Sequence, residues 1–227
     1  MDDIKGKVIR GRKVHFAHRR FYSIAQHAKD NVESNPELAI VCLTFSFNTI
    51  ESFINESLCS RELFCGGRLS DREIRMYNDL KRLVTGRNAH KVSISSKYKK
   101  AKGIFARERF RHNSYPDQDF ETLRKLRNAV IHRAPEVIVS ERIIGESGTN
   151  YRVEYFRPKA QLNRLVALGV IDSFNEGDSW LYSIENKAFC EWCCEVALNV
   201  TSYFLNALEP GVYKERIIEQ MSLEFEC

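Results

Sequence analysis

Residues 38–58 constrain the fold more than any other stretch of this chain. Leu43, Phe47, Ile50, Ile54 and Leu58 recur at three- and four-residue intervals, and Leu38, Val41 and Phe45 add a second stripe. A helix that is apolar over most of its girth has to be covered on several sides, which places it at the centre of a bundle. Its length approaches that of a membrane span, but Asn48, Glu51 and Asn55 interrupt it, so it reads as a buried helix and no membrane is implied. With Thr44 these residues are spaced by four, three and four. They form one polar line bordered by apolar residues on both sides. Such a line is either a hydrogen-bonded core network or dimer seam, or the wall of an active site; the two readings are compatible.

The remaining patterning is also mainly helical. Over 12–34, Val14, Ala17, Phe21, Ile24, Ala28 and Val32 mark one face of a helix, which Asn35-Pro36 ends. Ser70 followed by Glu73 is a capping box that starts a third helix with Ile74, Tyr77, Leu80 and Val84 inward. The basic segment 97–112 is expected to be partly helical. Pro116 and Asp117 open a helix that must stop before Pro135. The runs 137–144 and 151–156 are β-branched and aromatic and flank a Gly-rich turn, a hairpin pattern. A short helix over 158–168 and a long one over 186–208 complete the chain. The expected fold is one mainly α domain spanning 1–227: an antiparallel helical bundle, with 136–185 as a β-hairpin and short-helix insertion.

Composition sets the outer limits. The chain has 227 residues, 43% of them hydrophobic and 29% charged, a globular balance with ample material for a core. The N-terminal residues are charged and lack the apolar stretch of a signal peptide. Seven cysteines are an odd number and form no secreted framework, so a reducing cytoplasm is the expected location. Cys190, Cys193 and Cys194 lie at i, i+3 and i+4 on an apolar helix face; they read as buried thiols rather than half of a zinc site that only Cys59 and Cys65 could complete. No metal and no cofactor is expected, and no glycine-rich phosphate loop is present. Residues 162–173 resemble the helix–turn–strand unit of a winged helix, but too generically to carry DNA binding.

The segment that carries chemistry is Leu123-Arg124-Lys125-Leu126-Arg127-Asn128-Ala129-Val130-Ile131-His132. At about 100° per residue, Leu123, Leu126 and Val130 cluster toward the core, while Asn128 and His132 lie one turn apart on the other side with Glu121 and Arg124 nearby. Arg127 falls on a shoulder between Phe120 and Ile131. A charge on an apolar shoulder needs a partner, and Glu51, on the polar line of the central helix, is the candidate, with Asn48 and Asn55 as further supporting residues.

This Arg-Asn-x-x-x-His pattern resembles the signature of the HEPN superfamily, an Arg followed by a polar residue and then a His after four to six intervening residues. Arg10 with His15, Arg12 with His18, Arg20 with His27 and Arg107 with His112 satisfy the bare spacing too. Only the copy at 127–132 has Asn after the Arg and a fixed place near the end of an amphipathic helix. The resemblance covers mainly 12–60 and 115–133, and more loosely the final long helix. It implies a metal-independent endoribonuclease, with Arg127, Asn128 and His132 catalytic. RNA can be cut without metal when its own 2′-hydroxyl attacks the adjacent phosphate. That reaction needs a group titrating near neutrality to move a proton, which His supplies. It also needs donors and positive charge on the transition state, which Arg supplies. The resemblance further implies a homodimer whose two motifs build one composite site. It implies a role as a toxin of a toxin–antitoxin pair, an antiviral-defence effector or a stress effector, with an inhibitory or activating protein partner. Two alternatives accompany it: a non-catalytic HEPN module binding a nucleotide or a protein, and a structural helical protein in which the motif is coincidental.

Lys97, Lys99, Lys100, Lys102, Arg107, Arg109 and Arg111 concentrate in one segment against Glu108, with Tyr98, Phe105 and Phe110 interleaved. This is what an RNA-binding surface that tracks phosphates and stacks bases needs, and Arg124 extends it. The same pattern fits a solvated helix face whose aromatics point into the core. The run Lys5, Lys7, Arg10, Arg12 and Lys13 could join the patch.

Overall fold

The fold was analysed in a computed structural model. It describes residues 16–57, 71–85, 91–105, 108–111, 113–132, 138–141, 150–153, 157–174, 177–207 and 212–223. Within these, the order is α1 (Ala17–Asn31), α2 (Leu38–Glu56), α3 (Asp71–Thr85), α4 (Ile94–Phe105), α5 (Asp117–Ile131), β1 (Ile138–Glu141), β2 (Asn150–Val153), α6 (Lys159–Ala167), α7 (Trp180–Ile184), α8 (Lys187–Ala207) and α9 (Val212–Met221). The chain is mainly helical. The two strands pair antiparallel, with Ile138 opposite Val153 and Glu141 opposite Asn150.

Helix α2 occupies the centre: it packs against α1, α8, α5 and α4. It is long and apolar enough to cross a membrane by length and composition, and half of its apolar window is buried inside the fold. Phe47, Ile50, Phe53 and Ile54 are buried, as are the small residues Ala39, Cys42 and Ser46, the last two against α8. Facing them, α8 buries Cys190, Cys193, Cys194 and Ala197. Small side chains on both helices permit a close approach, whereas Phe53 meets Phe204 at the far end of the pair.

On α1 the buried line is His18, Tyr22, Ala25 and Ala28, continued by Val32. The expected line through Ala17, Phe21 and Ile24 is only half-buried. Ala28 and Val32 are buried as the stripe requires, but in the first half of the helix the buried line is shifted by one residue, where a carboxylate meets the first turn. Glu56, at the end of α2, accepts from the Ala17 N–H at 2.7 Å and the His18 N–H at 3.3 Å, and contacts the His18 ring at Nδ1, 2.5 Å away. Two N–H groups without intrahelical partners are thereby satisfied by an anion at the positive end of the helix. The other ring nitrogen, Nε2, is 3.1 Å from the Met221 carbonyl, and Arg19 donates to the Ser222 carbonyl from Nε and Nη2 at 3.2 and 2.9 Å. A carbonyl only accepts, so Nε2 carries a proton. These contacts fasten the end of α9, which the apolar pattern did not anticipate, to the start of α1.

Two further differences from expectation concern the C-terminal half. Short α7 precedes α8, and residues 170–173, where the winged-helix resemblance would place a strand, lie outside any strand. Gly169 at φ 69° stops α6: its N–H and that of Val170 return to the carbonyls of Val166 and Leu165, a left-handed cap that glycine adopts without a Cβ penalty. The Ser70 cap, the 142–149 turn and Pro135 lie outside the described residues, as do the side chains of Tyr77, Leu80 and Val84; Ile74 is half-buried.

Candidate active site

The site is built on α5, and four sets of contacts position that helix. At its N-terminus Asp117 is fully buried and accepts three hydrogen bonds: from Lys102 Nζ at 2.7 Å, from the Arg111 N–H at 2.7 Å and from the Tyr98 hydroxyl at 3.0 Å. A buried carboxylate that meets one cation and two further donors at a helix N-terminus is fully compensated. Burial, and then the Asp117 charge, pushes the Tyr98 phenol up, so it stays a donor. One turn on, Glu121 receives Ser95 Oγ at 2.8 Å and Arg124 Nη2 at 2.8 Å. Burial alone would raise the Glu121 carboxyl; the bonds from Arg124 and Ser95 and the charges of Arg124 and Lys99 hold it below the usual range instead. Asp119 pairs with Arg164 of α6. Leu123 and Leu126 are fully buried, as the helical periodicity requires.

The fourth set is an aromatic column. Tyr98 stacks on Phe120 at 4.0 Å and 7° between planes, and Phe120 stacks on Phe47 of α2 at 6.4 Å and 20°. The Arg127 guanidinium lies over the other end, 5.2 Å from the Phe47 centroid, within cation–π range. Arg127 Nη1 donates to Asn128 Oδ1 at 3.2 Å, while its Nε is buried without a hydrogen-bond partner among the described residues. His132 is the residue after the helix. Its N–H returns to the Asn128 carbonyl at 3.0 Å, and its side chain is exposed. Arg127 and Asn128 therefore occupy the last turn of one helix, hydrogen-bonded to each other, and His132 caps its end.

Glu51 plays a different part from the expected one. No hydrogen bond or ion pair joins it to Arg127 among the described residues; the guanidinium is supported by the Phe47 ring and by Asn128. Glu51 is one turn beyond Phe47 on α2 and half-buried, as is Asn48, so the polar line runs beside the Arg127 platform. Asn55 is drawn into a separate link, accepting from Lys97 Nζ at 3.1 Å. Nothing in the sequence pattern distinguished Phe47, the platform, from the other apolar residues of α2.

The basic segment divides in two. Lys102 is 1% exposed, paired with Asp117, and lies 4.9 Å from the Tyr203 centroid; Lys97 is 8% exposed and bound to Asn55. Both must be removed from the expected RNA-binding surface, because their charges are spent inside the fold. The reason is periodic: Tyr98 and Ala101 face the core, and Lys97 and Lys102 flank that face. Lys99, Lys100, Arg109 and Arg111 are exposed, with Lys99 Nζ 4.8 Å from the Phe110 centroid. Arg124 is half-buried and bonded to Glu121. Arg107 and the run 5–13 lie outside the described residues.

A cleft of about 420 Å³ lies between α5 and α6, bordered by Gln118, Glu121, Lys125, Gln161 and Arg164; it stops short of the motif. Among the described residues no three His, Cys, Asp or Glu side chains are grouped to hold a metal ion. Compared with family models, curated proteins and solved structures, the chain has no significant match.

Proposed function

We propose that this chain is a metal-independent endoribonuclease of HEPN type that cleaves RNA by 2′-hydroxyl attack. The observation that carries the reading is the arrangement at the end of α5. Arg127 is held on the Phe47 ring with a buried Nε that no group among the described residues satisfies, bonded to Asn128, one turn from an exposed His132. A guanidinium seated on an aromatic ring, with no carboxylate partner among the described residues, is suited to an incoming phosphate. In this scheme Arg127 stabilises charge on the phosphorane-like transition state. Asn128 binds a phosphate oxygen through its amide or orients the imidazole. His132 transfers the proton. The 2′-oxygen bonds to phosphorus, its proton leaves to base, and the 5′-oxygen departs with a proton. The products are a cyclic phosphate, or a 3′-phosphate after its hydrolysis, and a 5′-hydroxyl.

One helix offers one His132, whereas this reaction uses both a base and an acid. A homodimer that brings two α5 ends together supplies the second. The likeness to toxins, antiviral-defence and stress effectors held by a partner protein rests on the Arg127-Asn128…His132 pattern alone; a cytoplasmic location rests on the cysteine usage.

The withdrawal of Lys97 and Lys102 into the fold favours a second reading, a non-catalytic module of the same type that binds a nucleotide or a protein. One experiment separates them: incubation of a mixed tRNA and mRNA pool with the purified chain in EDTA, wild type against His132→Ala. Chelator-resistant cutting that leaves 5′-hydroxyl ends and is lost in the variant supports the nuclease. Absence of cutting by a folded, dimeric wild type favours the binding module, and equal cutting by both removes His132 from the site.

A further inference from the structure

We infer that Cys42 and Cys194 are a paired oxidation site, forming a disulfide between α2 and α8 when the folded protein meets a hydroperoxide. The two sulfurs are 3.7 Å apart, where Cys42 and Ser46 of α2 meet Cys190 and Cys194 of α8. Cys42 Sγ also approaches the Cys190 carbonyl at 3.4 Å, and Ser46 Oγ points a hydroxyl at Cys194 Sγ from 4.0 Å. The pair is asymmetric. All four of these cysteines are buried; Cys42, Cys190 and Cys193 are fully so, and Cys194, at 5% exposed, is the least enclosed. The one Cys42 S–H lies between the Cys190 carbonyl and Cys194 Sγ and is shared by them; Cys194 also receives a hydroxyl donor and faces the charge of Lys29, with Asp30 opposing it. Hydrogen bonds and burial push the Cys42 thiol up. The hydrogen bond from Cys42, only partly offset by burial, holds Cys194 below the usual thiol value, helped by Ser46 and Lys29.

This asymmetry assigns the order of events. The Cys194 thiolate attacks one peroxide oxygen, the O–O bond breaks, and the second oxygen leaves as hydroxide and takes a proton to become water. Cys194 is then a sulfenic acid. Cys42 sulfur attacks the Cys194 sulfur, the S–O bond breaks, and the hydroxyl departs with the Cys42 proton as a second water. Each thiol sulfur loses one electron and the peroxide gains both. The sulfurs need to close to about 2.05 Å, the length of a disulfide. The result ties the central helix, which carries Phe47, to α8. Cys193 lies on the same helix but is fully buried, and burial pushes its thiol up, so it is not expected to compete.

The test treats the full-length folded chain with hydrogen peroxide, blocks remaining thiols and maps the peptides by mass spectrometry. The expected result is a cross-linked pair containing Cys42 and Cys194 that lacks the mass of two hydrogens, while the helical circular dichroism is retained. In Cys194→Ser no such pair forms and Cys42 stays reduced. In Cys42→Ser a sulfenic acid is trapped at Cys194 by dimedone. The inference is overturned if both thiols remain reduced in the folded wild type, if they link only after denaturation, or if Cys42 pairs with Cys190 or Cys193. Because the wild-type map decides alone, a variant that fails to fold leaves the test intact.

Discussion

The guanidinium of Arg127 lies 5.2 Å from the centroid of the Phe47 ring, so the motif at the end of α5 is seated on the central helix rather than on its own. A cation over an aromatic face is worth about 0.5–2 kcal/mol, more as water is excluded, and here it also fixes the plane of the donors. Arg127→Lys keeps the charge but loses the planar fork. RNA cleavage is expected to fall on the order of 10²-fold, the scale of losing one donor to a developing charge. Phe47→Leu keeps most of the buried volume and removes the ring face; it should lower both cleavage and urea stability, the latter by about 1–3 kcal/mol. Single-turnover cleavage with each variant checks this, and full activity in Arg127→Lys would show that the fork has no role.

Lys102 and Asp117 form a buried ion pair at 2.7 Å. Removing one partner leaves the other charge buried and uncompensated, so Lys102→Met is expected to cost about 3–5 kcal/mol of folding stability. The double variant Lys102→Met with Asp117→Asn should recover part of that loss. Chemical denaturation of the three variants measures it, and a Lys102→Met protein as stable as wild type would contradict the pairing.

The exposed cations give the opposite expectation. Lys99→Ala and Lys100→Ala together should leave stability within about 0.5 kcal/mol. If these side chains neutralise RNA phosphates, affinity should fall in the double variant. The slope of its salt dependence should also flatten, by roughly one unit for each phosphate left without its lysine. Filter binding across a salt series reads this out; an unchanged slope would place RNA elsewhere on the chain.

Stability should also respond to acid through Glu121. Its carboxyl is held below the ordinary value in the folded chain, by Arg124 and Ser95 against the effect of burial. The unfolded chain therefore takes up this proton first as pH falls. The contribution is fully present above the ordinary glutamate value of about 4.3 and is lost as pH drops through the folded value. Glu121→Gln should flatten that part of the stability–pH curve, as thermal melts between neutral and acidic pH would reveal.

The legible parts of this chain were those set by short-range periodicity. The girth of α2 and the inward set Leu123 and Leu126 follow from spacings of three and four residues, and the end of α5 close to His132 follows from Pro135. What the sequence pattern missed depends on residues far apart in the chain. Phe47 and Arg127 are 80 positions apart and Phe47 carried no signal beyond hydrophobicity. Glu51 had the right charge and the right line to hold Arg127, yet the ring one turn earlier on α2 takes that place. Lys102 reads as surface because lysine usually is, but it stands one residue from Ala101 on the buried face and meets Asp117 at the start of another helix. His18 was visible only as one of several Arg…His spacings; its partners, Glu56 and Met221, are 38 and 203 positions away.

Those last contacts make the fold a mechanical loop. Residues 18 and 19 hold the carbonyls of 221 and 222, so a pulling force applied between residues 16 and 223 would load these few hydrogen bonds together with the buried Met221 side chain. They would part like a zipper, one after another, and α9 would peel away while α1, α2 and α8 stayed closed.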